Sequence, residues 1–369
     1  MLLNELHRKV GRRRSVFVIV TVAFITLFVV SHSSPQLYRG AMSDLPYDSI
    51  RPVADEDQLH FVIVAPKGRF IETTTCGGCT VLLELGAELE SLGHSVDLHL
   101  QAHGPDCQEV RSHSVVIYPE VVDWTCKQSA ALHVRWILAP IGVHTAKSIT
   151  SLWGINDWVL NYDNTAPGIP GGVPDSNILM VLHNPSRFDE FDEYDADSSQ
   201  DRQASCFTYR KAEKFHNMTA VLKLHPDDAI QVDGTVQAAV EIFKRCKHFY
   251  SYDPYTYLNF IASWFGCIPI VHPIDGLSKK DWLHSTSFGP YLRQTNSSTL
   301  IDIVAYGVSD AEVVRAGQVS SISKAEFYKI REWGKGTVRR FCADVSVYMR
   351  GGSNFNMRKL VREYYPDGW

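Results

Sequence analysis

The sequence predicts an α/β protein made of two successive Rossmann-like units. Three observations carry this. Short apolar runs ending in turn residues alternate with stretches of helical periodicity. The alternation stops at an acidic segment, 189–197, flanked by Ser198, Ser199 and Gln200, and then restarts. About 310 residues lie beyond the polar N-terminal region, enough for two domains.

The chain opens with a basic tail, residues 1–14, holding Arg8, Lys9, Arg12, Arg13 and Arg14 against one acid, Glu5. Val16 to Val30 follows without a charge, and with Ser15 and Ser31 it makes 17 residues. That is the lower limit for a membrane-spanning helix. A transmembrane signal anchor is therefore expected at 15–31, with the cations on the cytoplasmic side and the body lumenal. So short a span suits the thin membranes of the early secretory route better than the thicker plasma membrane. A cleaved signal peptide is the alternative and gives the same compartment. Residues 32–57 contain Pro35, Pro46 and Pro52 and read as a stem.

Without residues 1–14 the chain has 31 basic and 40 acidic residues, a net charge of −9. Such a body argues against a nucleic-acid partner. The sequons Asn217-Met218-Thr219 and Asn296-Ser297-Ser298 are usable acceptors in a secretory lumen, where the product would be a glycoprotein. The eight cysteines, at 76, 79, 107, 126, 206, 246, 267 and 342, permit disulfides there without fixing their pairing.

Residues 58–197 are expected to form the first domain. Leu59–Pro66 is an apolar strand, and Cys79–Leu92 is a helix stopped by Gly93. Further strands are expected at Ser95–Leu100, 115–122, 134–140 and 157–162. Residues 198–369 are expected to form the second domain. Its strands are predicted at Cys206–Arg210, Thr219–His225, His248–Ser251 and Ile268–His272. Its helices are predicted at Val236–Lys247 and Tyr255–Phe265, with one or two closing helices in Ala325–Met349. Strands separated by helices imply parallel sheets covered on both faces.

Three places can carry chemistry. Thr73–Thr80 contains Gly77 and Gly78, which let a backbone approach a ligand closely ahead of a helix N-terminus; a tight turn without a ligand is the competing reading. Arg210 and Lys211, with Lys214 a turn later, follow a strand and suit a diphosphate; a solvated basic face is the alternative. The third is Tyr252-Asp253-Pro254-Tyr255-Thr256, then an apolar helix, then Gly266-Cys267-Ile268-Pro269-Ile270-Val271. Asp253 and Thr256 can cap that helix, at the sheet edge where open α/β folds bind ligands.

The stretch from Phe249 to His272 resembles the donor-binding segment of GT-B glycosyltransferases, particularly the group-1 type. The Gly77-Gly78 loop and its helix resemble the start of their first domain. The resemblance implies two Rossmann-like domains facing a cleft, and transfer of a sugar from a nucleotide sugar to a glycan or glycoconjugate. It implies that Arg210 and Lys211 hold the diphosphate. Tyr252, Asp253 and Thr256 would line the donor pocket, and Gly77 and Gly78 would approach the reacting sugar. No metal or other cofactor is expected. The chain departs from the group-1 pattern of two Glu seven residues apart: the loop has Asp253, and Ile261-Ala262-Ser263 holds no acid. The sugar, the acceptor and the catalytic base have no signature in the sequence.

Other readings stand beside this one. A lumenal glycan- or nucleotide-sugar-binding protein of the same fold would lack the second acid. Cys76-Gly77-Gly78-Cys79 resembles a thiol oxidoreductase motif. Asp195-Ala196-Asp197 matches a metal-binding D-x-D, although a solvated linker fits its surroundings better. His225, next to Pro226, reads as structural.

Overall fold

A computed structural model describes residues 58–65, 77–99, 110, 113–122, 132–139, 141, 147–154, 157–162, 177–182, 202–219 and 221–351. The expected tail, anchor at 15–31 and stem lie outside these residues, as do Thr73–Cys76 and the Asp195–Asp197 motif. Among the described residues no helix is long and apolar enough to cross a membrane.

The first sheet has five strands: β1 (His60–Val64), β2 (Ser95–His99), β3 (Ser114–Pro119), β4 (Leu132–Ile137) and β5 (Trp158–Asn161). All pair in parallel in the order β2-β1-β3-β4-β5. The apolar runs that mark β1, β3, β4 and β5 are buried on both faces, as a parallel sheet requires. Phe61, Ile63, Val115, Ile117, Val134 and Trp136 face one layer, where Leu82, Leu85 and Leu89 of helix α1 (Gly77–Ser91) join them. Each of those leucines contributes roughly 1.5–3 kcal/mol by its burial. Val62, Val64, Val116 and Tyr118 form the opposite layer. There Arg135 is fully buried, bonded to Asp157 at 2.8 Å and stacked 4.3 Å over the Tyr118 ring.

The second sheet holds β6 (Ala204–Thr208), β7 (Ile230–Gln231), β8 (Cys246–Ser251), β9 (Ile268–Val271) and β10 (Ala305–Tyr306). All pair in parallel, in the order β7-β6-β8-β9-β10. Counted within each half, both sheets therefore have the doubly wound order 2-1-3-4-5. Both belong to one compact unit, Pro52–Trp369.

Helices α2 (Val236–Phe243) and α3 (Leu258–Trp264) follow β7 and β8. Four short helices, α4 (Lys279–Ser285), α5 (Gly289–Thr295), α6 (Ser298–Asp302) and α7 (Asp310–Val319), fill a region for which the sequence predicted no element. The closing helix is a single one, α8 (Ser323–Met349). Its first half packs on the second sheet's helices, with Phe327 4.0 Å from Trp264 between ring centres and Ser323 donating to the Ser263 carbonyl. Its last half packs on the first sheet, where Phe341 lies 5.9 Å from Phe61 and 5.4 Å from Trp158. Thr337 and Arg340 bond to the backbone of Met180 and Ile178.

Several expectations differ from the structure. The strand predicted to Arg210 ends at Thr208, ahead of the 3₁₀ turn that Lys211 opens. The described residues of Thr219–His225 hold no strand: Leu222 is 73% exposed, and the Leu224 N–H is taken by the Tyr252 hydroxyl. The helix predicted to Lys247 ends at Phe243, because Cys246 and Lys247 already belong to β8. The helix predicted from Tyr255 begins at Leu258, because residues 253–256 are held in turns.

Candidate functional site

Open parallel sheets leave a crevice beyond their carboxyl ends where the strand order reverses. In the second sheet that point lies between β6 and β8. The loop leaving β6 carries Tyr209, Arg210 and Lys211, and the loop leaving β8 carries Tyr252 and Asp253. The ladder runs on into these loops, with the Tyr252 N–H donating to the Thr208 carbonyl at 3.1 Å. Two segments 40 residues apart in sequence thus meet at the one edge where such folds take ligands.

Each side of the crevice is tightly determined. Lys211 sits at φ 59°, ψ 10°, in the left-handed region, and opens a 3₁₀ turn at Ala212–Lys214. A side chain there costs roughly 1–2 kcal/mol. Such strain is concentrated at functional sites. The Arg210 N–H donates to the Thr208 hydroxyl at 3.3 Å, and its side chain is exposed.

Opposite them, Asp253 is 2% exposed. Its carboxylate accepts the Tyr255 N–H at 3.1 Å, and so caps a turn five residues before α3 starts. Ser251 and Asn259 donate to its carbonyl, while Asn259 and Trp282 donate to that of Pro254. Burial pushes the Asp253 carboxyl up to about 6, against the opposing pull of Lys211, the Tyr255 N–H and Arg210. Thr256 is half-buried, and its hydroxyl accepts the Leu258 N–H at 3.4 Å.

Tyr252 is fully buried. Its hydroxyl accepts the Leu224 N–H at 2.6 Å and lies 2.9 Å from His225 Nδ1. Its ring lies 4.4 Å from that of Tyr209, tilted against it, and stacks 5.5 Å from His272, which in turn meets His216 at 4.6 Å. Burial, then His272, lowers the His216 pKa; burial, then Lys223, lowers that of His225. Tyr209, Tyr252, His272 and His216 thus form one continuous run of ring contacts behind the two loops.

The structure brings Arg210, Lys211, Tyr252, Asp253 and Thr256 to one edge of one sheet. Gly77 and Gly78 belong instead to the first sheet, in the first turn of α1 and not in a loop ahead of it. A Cβ on Gly78 would lie 3.4 Å from Leu138 Cδ1. Near them, at the carboxyl end of β3, the buried Glu120 accepts the Leu138 N–H at 2.9 Å. Cys79 is buried in the same turn of α1. Sequence reasoning named Tyr209 beside Arg210 and Lys211 without giving it a role, and passed over His216, His272 and Asn259. Only Asn259 left a signal, as a lone amide in an apolar helix. Among the described residues, no three His, Cys, Asp or Glu side chains are grouped to hold a metal ion.

No family model matches the chain, and no curated protein matches it. Among solved structures it is similar to a glycosyltransferase from Rickettsia africae ESF-5, at 8% identity and a TM-score of 0.38, over 84% of this chain and 99% of that one. It is also similar to a protein assigned as a UDP-N-acetylglucosamine 2-epimerase from Listeria monocytogenes, at 8% identity and a TM-score of 0.36, over 80% of this chain and 97% of that one. Likenesses this low carry no activity across. The fold of this chain rests on its own strand orders.

Proposed function

We propose that this chain is a glycosyltransferase that takes a sugar from a nucleotide-sugar donor and passes it to a glycan or glycoconjugate, with the donor on the second sheet. One observation carries the reading. Arg210 and Lys211, the latter in a strained backbone conformation, face the buried Asp253 across the strand-order reversal of that sheet.

In the proposed reaction an acceptor hydroxyl forms a bond to the anomeric carbon, the bond from that carbon to the diphosphate breaks, and the hydroxyl proton leaves to a base. The diphosphate, which carries two negative charges in the donor, leaves with the electron pair and so gains a third that has to be stabilised. Two cations on one loop are suited to that role, because they are in place before the charge develops. Asp253, whose carboxyl feels the charge of both cations, is proposed as a partner for donor hydroxyls. The body is proposed to act in the Golgi lumen, tethered by residues 15–31.

A non-catalytic binding protein is the second reading, favoured by one observation. Ile261, Ala262 and Ser263 are all buried in α3, so that helix offers no second acid to the donor.

Thermal-shift measurements of the full chain against a panel of nucleotide sugars, followed by transfer assays, separate these readings. Stabilisation with turnover supports the enzyme, and stabilisation without turnover supports the binding protein. Arg210→Ala and Asp253→Ala are expected to abolish transfer and leave the fold intact. Full activity in either variant sinks the site.

A further inference from the structure

The two acceptor sequons occupy very different local structures, and this difference assigns them different fates. Asn217 follows the 3₁₀ turn that carries Lys211, in a segment without regular structure. Its side chain is exposed, and its carboxamide oxygen accepts both the Thr219 hydroxyl at 2.7 Å and the Thr219 N–H at 3.2 Å. The hydroxyl two residues on, which defines an acceptor, therefore already sits on the carboxamide of an exposed asparagine. The neighbouring His216 ring turns the other way, onto His272.

Asn296 is also exposed, but its backbone is committed. It is the left-handed cap of α5, at φ 50°, and its N–H is spent on the Leu292 carbonyl. Ser297 caps α6, taking the Leu300 N–H, and also bonds to Glu326. Ser298 is the first residue of α6. A transferring enzyme that grips this tripeptide has to unravel the facing ends of two helices. At Asn217 it meets only an irregular surface segment, the kind of place where modification is tolerated.

We infer that Asn217 is an N-glycan acceptor in the folded protein, whereas Asn296 accepts a glycan only before α5 and α6 have formed. In the step, Asn217 Nδ2 forms a bond to the anomeric carbon of a lipid-linked oligosaccharyl diphosphate. The carbon–oxygen bond to the diphosphate breaks, the diphosphate leaves with the electron pair, and one amide proton passes to a base of the transferring enzyme. The inference rests on the lumenal placement of the body and is independent of whether the chain transfers sugars itself.

The test is site-by-site occupancy in the full chain expressed in mammalian cells. Amidase release of N-glycans in ¹⁸O-water marks each formerly occupied asparagine. An Asn-Gly-Thr tail fused after Trp369 reports on compartment alone. Near-complete occupancy at Asn217, lower occupancy at Asn296, and loss of one glycan in Asn217→Gln support the inference. An unmodified Asn217 beside a modified tail overturns it while leaving the lumenal placement intact. Occupancy at Asn296 equal to or above that at Asn217 also overturns it. An unmodified tail overturns both the inference and the lumenal placement, and transfer assays on the same protein still test the enzyme reading separately.

Discussion

The hydroxyl oxygen of Thr337, on α8, accepts the N–H of Met180 at 2.9 Å and lies 3.1 Å from the Met180 carbonyl oxygen. Residues 157 positions apart are joined through one buried group. Thr337→Val keeps the shape and orphans a buried N–H, so it is expected to cost about 1–3 kcal/mol. Urea denaturation checks this, and an unchanged midpoint would show that the contact contributes nothing.

Gly266 is required where it stands. It adopts φ +75° at the end of α3, and an added Cβ would come within 2.7 Å of the Arg202 guanidinium, which itself donates to the Phe265 carbonyl. Gly266→Ala is expected to cost about 1–2 kcal/mol from the backbone, and more from the displaced arginine. A double-mutant cycle with Arg202→Ala should show coupling between the two positions. Strict additivity would mean that they do not interact.

Lys211 gives a sharper test of the site. Lys211→Gly relieves the left-handed strain but adds freedom to the unfolded chain, so its net effect on stability is expected within about 1 kcal/mol of zero. Binding of nucleoside diphosphates should nevertheless weaken. A variant that folds as well as the parent and binds as tightly would remove Lys211 from the site.

Asp253 predicts a pH dependence of definite sign. Its carboxyl titrates at about 6 when folded and at 3.8 as a free group. Between those values the folded chain binds more protons than the unfolded one, so this group's contribution to stability falls as pH rises. Asp253→Asn should match the parent at pH 4 and be more stable by roughly 2–3 kcal/mol at pH 7.5. A flat difference across that range would contradict the assignment.

The same residue links binding to protons. Lys211 and Arg210 both hold the Asp253 carboxyl down. A diphosphate bound to them masks that pull, the carboxyl pKa rises, and a proton is taken up near pH 6. Calorimetry in buffers of different ionisation enthalpy should show this uptake for the parent and not for Asp253→Asn.

The parts of the fold that were legible share one property. β1, β3, β4, β5 and β9 are apolar runs buried on both faces, and α8 has long helical periodicity. The misread segment 219–225 has apolar residues too, but its Leu224 N–H goes to the Tyr252 hydroxyl and its Val221 N–H to the Asn217 carbonyl, neither to a neighbouring strand. Helices α4 to α7 are five to ten residues each, too short for a period to show. The cations at 210 and 211 and the acid at 253 could be picked out by type and by the turns around them. That they share a crevice depends on β6 and β8 being neighbours, and this pairing skips β7. Burial of the Tyr252 ring was invisible for the same reason, since its cover comes from His225 and His272.

Helix α8 spans roughly 40 Å at 1.5 Å per residue. Its last turns place Phe341 and Val345 in the same core as Phe61 and Trp158. The first half of the chain therefore waits, during synthesis, for nearly the last described residues before its own interior is closed. A ribosome that stalls anywhere in the second half leaves Phe61 and Trp158 uncovered. Aromatic surface left open in this way is what makes an incompletely folded chain prone to aggregate.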